Sequence, residues 1–155
     1  TIKSQVIAND PEYWGYYMDR GDIFRLSAYQ IAKEGNTEQA LEYMTKAHKD
    51  YSDAIELSPN TSVLYSKRAQ VYFDTAHYDD ALKDTEQALL INPNQGEAYV
   101  LRALTYWIGF EDIPSACYYL KIGQNLFTKQ GDEEGLVIIM SYHDLVSACG
   151  LSPAN

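Results

Sequence analysis

Lys46-Ala-His-Lys-Asp-Tyr-Ser-Asp-Ala-Ile-Glu-Leu-Ser-Pro-Asn60 and Asp80-Ala-Leu-Lys-Asp-Thr-Glu-Gln-Ala-Leu-Leu-Ile-Asn-Pro-Asn94 are one segment written twice. Ala47 pairs with Ala81, Lys49 with Lys83, Asp50 with Asp84, Ala54 with Ala88 and Pro59 with Pro93, each pair 34 residues apart. Downstream, Tyr65-Ser-Lys-Arg-Ala-Gln-Val-Tyr72 returns as Tyr99-Val-Leu-Arg-Ala-Leu-Thr-Tyr106 at the same interval. A fixed period of this length is the mark of stacked supersecondary units that share one continuous core. Residue size indicates how they stack. Ala69, Ala81 and Ala88 lack bulk, so two helix backbones can approach closely, and Tyr65 and Tyr72 fill the space beside them. Pro93 has no N–H and moves Asn92 out of helical geometry, which separates one unit from the next.

The composition agrees with a helical stack. The 155 residues suffice for one domain of ordinary size, and 46% hydrophobic with 22% charged residues describes a globular chain. Fourteen tyrosines and few Val/Ile/Thr clusters argue against a many-stranded sheet. The formal net charge of −10 repels phosphate, which disfavours nucleic acid and anionic membranes as partners. No apolar run approaches the ~18 residues of a membrane span. Cys117 and Cys149 form neither a zinc motif nor a small-protein disulfide framework. They point weakly to a reducing, cytoplasmic setting.

The recurring Tyr65, Ala69, Tyr72, Tyr78, Ala81, Ala88 and Pro93 resemble the signature of the tetratricopeptide repeat (TPR) family, whose period is 34. The resemblance implies an all-α, right-handed superhelix of three helix-turn-helix repeats with a C-terminal capping helix. Its expected divisions are an N-terminal flank 1–10, an extended first hairpin 11–60, repeats at 61–94 and 95–130, a capping helix 131–149 and a tail 150–155. The first repeat is irregular. Phe24, Ala28, Ile31, Gly35 and Ala40 fit the motif read forward, whereas Ala47 and Ala54 fit it read back from Pro59. The two readings differ by seven residues, nearly two helical turns, so Ala40, Ala47 and Ala54 share one seam of one long helix. The start signal Asp10-Pro11-Glu12 predicts that the first helix runs from about Pro11 to Glu34 and supplies its partner. The third repeat has one extra residue, assigned to its turn. Asp132 should cap a final helix reaching about Ala148, with two apolar stripes: Leu136, Ile139, Met140 and His143, then Ile138, Tyr142, Leu145 and Cys149.

Nothing in the sequence forms a catalytic constellation. His48, His77 and His143 lie in different repeats, and none has a His or Cys at helical ligand spacing. Phosphate loops and nucleophile elbows are absent from the sequence. The expectation is therefore a non-enzyme with no metal and no cofactor.

In this family the first helix of each repeat lines a concave groove. Carried over by position, the wall is Arg25, Tyr29 and Lys33 with Asp22, then Val63, Ser66, Gln70, Phe73 and Asp74. Glu97, Val100, Leu104, Trp107 and Ile108 complete it. This wall is polar at one end and apolar at the other, unless the terminal helix covers the apolar end. Phe73 and Trp107, 34 residues apart, are expected to stack as neighbours. A sub-family of TPR co-chaperones grips a terminal carboxylate through Lys, Asn, Asn, Lys and Arg. The matching places here are Arg25, Tyr29, Lys67, Glu97 and Leu101, so the clamp is missing. Arg68 and Arg102 fall on another face and read as structural. The implied partner is a protein or peptide segment, apolar with some positive charge. The alternatives are a secretion-type or assembly chaperone, and a homo-oligomeric scaffold joined through the terminal helix or the Tyr13, Trp14, Tyr16, Tyr17 segment.

Overall fold

The computed structural model describes residues 12–151, and within them the chain is helical without strands. Three antiparallel pairs follow one another: α1 (Trp14–Lys33) with α2 (Thr37–Leu57), α3 (Ser62–Asp74) with α4 (Tyr78–Ile91), and α5 (Gly96–Leu104) with α6 (Ile113–Gln130). Two short helices close the stack, α7 (Glu133–Ser141) and α8 (His143–Ala148). The alanine seam is real: Ala28, Ala47, Ala54, Ala69, Ala81, Ala88, Ala98, Ala103 and Ala116 are wholly buried. Each pair of helices meets across these methyl-sized side chains.

The first hairpin is the long one. Its arms have 20 and 21 residues, against 13 and 14 in the second. An ion pair shows where the extra length goes. Arg68 holds Asp84 through two hydrogen bonds of 2.7 and 2.9 Å, and Arg20 holds Asp50 in the same way at 2.7 and 2.6 Å. Asp50 and Asp84 are one period apart, but Arg20 precedes Arg68 by a period plus fourteen residues. Each arm therefore carries seven additional residues on the turn side of this pair, so the hairpin overhangs its neighbour by about 10 Å. Asp10 and Pro11, the expected start, lie outside the described residues. The first described cap is Tyr13, whose side chain makes no capping bond. The aromatic start packs inward: Trp14 and Tyr17 lie against Ala54, Ile55 and Leu64.

Three expectations need correction. The extra residue of the third repeat does not lengthen the turn. It widens the end of α5 into a π-helical turn, Thr105–Gly109, as single-residue insertions in helices do. The final helix is not continuous to Ala148 but breaks at Tyr142 (φ −88°, ψ 60°). The break turns the far end of the second stripe inward, so that Leu145, Val146 and Cys149 are buried with Ile139 while Ile138 stays exposed. Cys117 and Cys149 are joined in a disulfide across 32 residues, tying α6 to the end of α8. Closing a loop of that size removes about 3–4 kcal/mol of unfolded-chain entropy. Spacing alone concealed the pair, because only the break at Tyr142 brings Cys149 back to α6.

The three intra-hairpin turns repeat a left-handed residue: Gly35 (φ 86°), Ala76 (φ 60°) and Glu111 (φ 55°). Only the first is glycine, so the other two carry strain of about 1 kcal/mol each. Ala76→Gly should raise the urea midpoint, by about 0.5–1 kcal/mol of stability. Gly21 calls for the opposite expectation. A Cβ there would lie 2.7 Å from the ring of Tyr51, which is fully buried. Gly21→Ala gains about 1 kcal/mol of helix propensity but forces that ring aside. A net loss of about 1–3 kcal/mol is expected in thermal or urea unfolding.

Candidate functional site: the concave face

The polar half of the expected wall is assembled by α1 and α3 as one hydrogen-bonded lattice. Asp22 accepts from Lys67 Nζ through both oxygens at 2.8 Å and from the Tyr51 hydroxyl at 2.6 Å. Arg25 Nη1 donates to the Tyr29 hydroxyl at 2.9 Å. That hydroxyl donates in turn to Asp74, which also accepts from Gln70 Nε2 at 2.9 Å. Burial pushes the Tyr29 phenol up to about 12, and its bond to Asp74 adds to the shift. Asp74 is exposed as a residue, yet its carboxyl is crowded. Lost hydration raises its pKa, against the opposing effect of the bonds from Tyr29 and Gln70 and of the Arg25 charge. Ser66 is half-buried in the same wall; Lys33 is exposed near the free end of α1 and Glu97 at the start of α5.

The apolar half is not open. Val100 and Leu104 are each 5% exposed and belong to the main core with Ile139, Leu145 and Val146. α6 and the terminal helices enclose them together, Val100 lying against Gly123 of α6, which corrects their placement on an accessible wall. Phe73 and Trp107 are half-buried at the edge of that core, and Tyr142 joins them there. The expected stack of Phe73 on Trp107 is absent. Among the described residues Phe73 meets Tyr78 edge-on at 6.0 Å, and no ring contact joins it to Trp107. The π-helical turn adds a residue inside the span carrying Trp107 and so shifts it from its repeat position. Val63 packs beside Leu64 in the first-to-second repeat core, and Ile108 remains 51% exposed.

The clamp positions have other uses. Lys67 is taken by Asp22, Arg25 and Tyr29 bond each other, Leu101 is 5% exposed and Glu97 carries the wrong sign. Arg68 is structural, as its pair with Asp84 shows. Arg102 donates to the Leu82 carbonyl at 3.0 Å and stands over the Tyr119 ring at 4.9 Å, Tyr119 replacing the aspartate of the earlier repeats.

A second concavity of about 580 Å³ lies under the overhang of the first hairpin. Leu41, Met44 and His48 face Val71, Tyr72 and Thr75 across it. Sequence reasoning missed this cleft, although the seven-residue excess that creates it was legible. Among the described residues no cluster of three or more His, Cys, Asp or Glu could hold a metal ion, and no helix is long and apolar enough to cross a membrane.

With this geometry in place, comparison with known proteins is direct. The tetratricopeptide repeat family model matches residues 62–95, which span the whole of α3 and α4. Residues 62–95 are a tetratricopeptide repeat. Small glutamine-rich tetratricopeptide repeat-containing protein 2 of Mycosarcoma maydis is 38% identical over 72 residues, 46% of this chain and 20% of that protein. The chain thus matches about a fifth of that relative's length. TTC0263, a thermophilic TPR protein of Thermus thermophilus, superposes with a TM-score of 0.76 at 22% identity, over 90% of this chain and 68% of its own. The first TPR of Spaghetti (RPAP3), bound to the HSP90 peptide SRMEEVD, superposes with a TM-score of 0.55 at 16% identity, over 84% of this chain and 98% of its own.

One TPR position carries a pH signal. His48 on α2 meets the Tyr72 hydroxyl at 2.9 Å through Nε2. Burial, aided by the Arg68 charge, holds its imidazole below the ordinary value. The unfolded chain then binds more protons here than the folded chain. Its contribution to stability is complete above the unfolded value of about 6.5 and is lost as pH falls toward the folded value. Urea unfolding between pH 7.5 and 5 should show this loss, and His48→Gln should flatten that part of the slope.

Proposed function

We propose that this chain is a non-catalytic interaction module that holds a protein segment against its concave face. The observation that carries the reading is the wall of α1 and α3, where Asp22, Arg25, Tyr29, Gln70, Lys67 and Asp74 are fixed by mutual hydrogen bonds. A rigid, polar, pre-ordered wall on a repeat scaffold binds an extended or helical segment without losing its own side-chain freedom. The TPR of Spaghetti bound to an HSP90 peptide supports a peptide as the class of ligand. The charges favour a different peptide. Lys67 is neutralised by Asp22, while Asp74 accepts from the neutral Tyr29 and Gln70 with the Arg25 charge nearby, and Glu97 stands exposed. A segment combining apolar residues with Lys or Arg suits this surface, and one ending in a free carboxylate does not. The Cys117–Cys149 disulfide favours an oxidising compartment over the cytoplasmic setting that spacing suggested.

Panning a random peptide library on the immobilised chain tests this. Selected peptides should carry apolar residues with Lys or Arg. Their binding should fall about tenfold or more in Asp74→Ala and Gln70→Ala, as hot-spot truncations do. Photo-crosslinkers should capture them from Ser66 and not from Glu86, exposed on α4. Labelled SRMEEVD should show no saturable binding by fluorescence polarisation. Selection of acidic, carboxylate-terminated peptides, or crosslinks confined to Glu86, would overturn the reading.

A further inference from the structure

The half-repeat α7–α8 stands where a fourth repeat would begin. Its Ile139, Leu145, Val146 and Cys149 share one buried cluster with Val100 and Leu104 of α5, and Phe73, Trp107 and Tyr142 close its edge. Tyr142 lies near enough to Asp74 of α3 to feel its charge, so the break between the two helices reaches the second repeat as well as the third. The cover is thin. α7 has nine residues and α8 six, and Val137 and Ile138 on the outer side are 69% and 49% exposed. Helices this short have no stability of their own. The salt bridges between described residues all fall between Arg20 and Asp84, so none of them holds the cover. Among the described residues, apolar packing and the Cys117–Cys149 bond join the cover to the rest of the stack.

We propose that α7–α8 is a thiol-controlled cover over the apolar half of the concave face, locked by Cys117–Cys149 and released when that bond is reduced. A dithiol reductant supplies the step. Its two sulfurs close to a disulfide as the Cys117 Sγ–Cys149 Sγ bond breaks, and two electrons and two protons leave both cysteines as thiols. Release frees the end of α8 and uncovers Leu104, Phe73 and Trp107, extending the polar wall into a continuous amphipathic groove. The proposal rests on the segment-binding reading for its purpose but not for its test.

The test uses the full chain carrying Trp14→Phe, which leaves Trp107 as the one tryptophan of two. Hydrogen exchange and acrylamide quenching are compared in the oxidised chain and after dithiothreitol, with two free thiols confirmed by titration. The Cys117→Ser/Cys149→Ser variant repeats the comparison without reductant. Opening should speed exchange in residues 133–149 and 96–108 by about tenfold or more, as local release does. Trp107 quenching should rise, with residues 14–91 unaffected. Unchanged exchange in 133–149 with both thiols free would show that packing alone holds the cover, and overturn the proposal. So would loss of protection throughout 14–91, which would make the bond a global staple. Neither readout involves a partner, so this failure leaves segment binding standing. Failure of the peptide selection would leave a cover that opens onto nothing.

Discussion

Two helices lie side by side at the spacing of this solenoid only where the side chains between their backbones are very small. Ala47, Ala54, Ala81 and Ala88 on second helices, and Ala28, Ala69, Ala98 and Ala103 on first helices, satisfy that constraint at full burial. Everything larger is displaced from the seam. Tyrosines move to its flanks, where Tyr51 fills the space left by Gly21 and anchors its hydroxyl on Asp22. The concave wall is therefore a by-product of the seam. A helix with one face committed to its partner presents a neighbouring face to the next repeat, and in α1 and α3 that face is polar.

The Arg–Asp pair acts as a register mark on this scaffold. It sits at the same level in the first two hairpins and becomes Arg102 over Tyr119 in the third. Above it the first hairpin continues for two more turns while the second turns back at Thr75. Among the described residues the overhang has no neighbouring repeat to bury it, which accounts both for the cleft beneath it and for Leu41 being 57% exposed. At the opposite end of the stack the same shortage of neighbours is met differently. The chain breaks at Tyr142 and folds its second apolar stripe back, and a disulfide holds the result.

The repeat, its three copies and the long first hairpin were legible because they depend on residue size at a fixed interval, and Ala47, Ala81 and Pro93 state that interval without ambiguity. That Glu97 and Leu101 stand where a clamp would need Lys and Arg was legible for the same reason, since the repeat defines those positions. Three features were not. An inserted residue can enter a loop or widen a helix, and the count from Tyr106 to Ala116 is the same in both cases. A stripe of Val100 and Leu104 reads alike whether open or covered, because burial there depends on where the next helix ends. Cys117 and Cys149 are unrelated along a straight last helix and meet only along a broken one.

The open and covered halves of the concave face differ in how they can change. On α1 and α3 Asp22, Arg25, Tyr29, Lys67 and Asp74 already have partners within the wall, and replacing those bonds by a ligand's must recover their desolvation. A segment bound there, as proposed, would be selected for geometry and sign, since a free carboxylate would meet Asp74 with Lys67 already engaged and Glu97 at the start of α5. On α5 the surface is apolar and non-directional, and it gains from contact with any segment that excludes water. Left bare, Leu104, Phe73 and Trp107 would form the kind of patch that associates indiscriminately. On the segment-binding reading, covering that half while leaving the polar half open would make the selective surface the first one a partner meets.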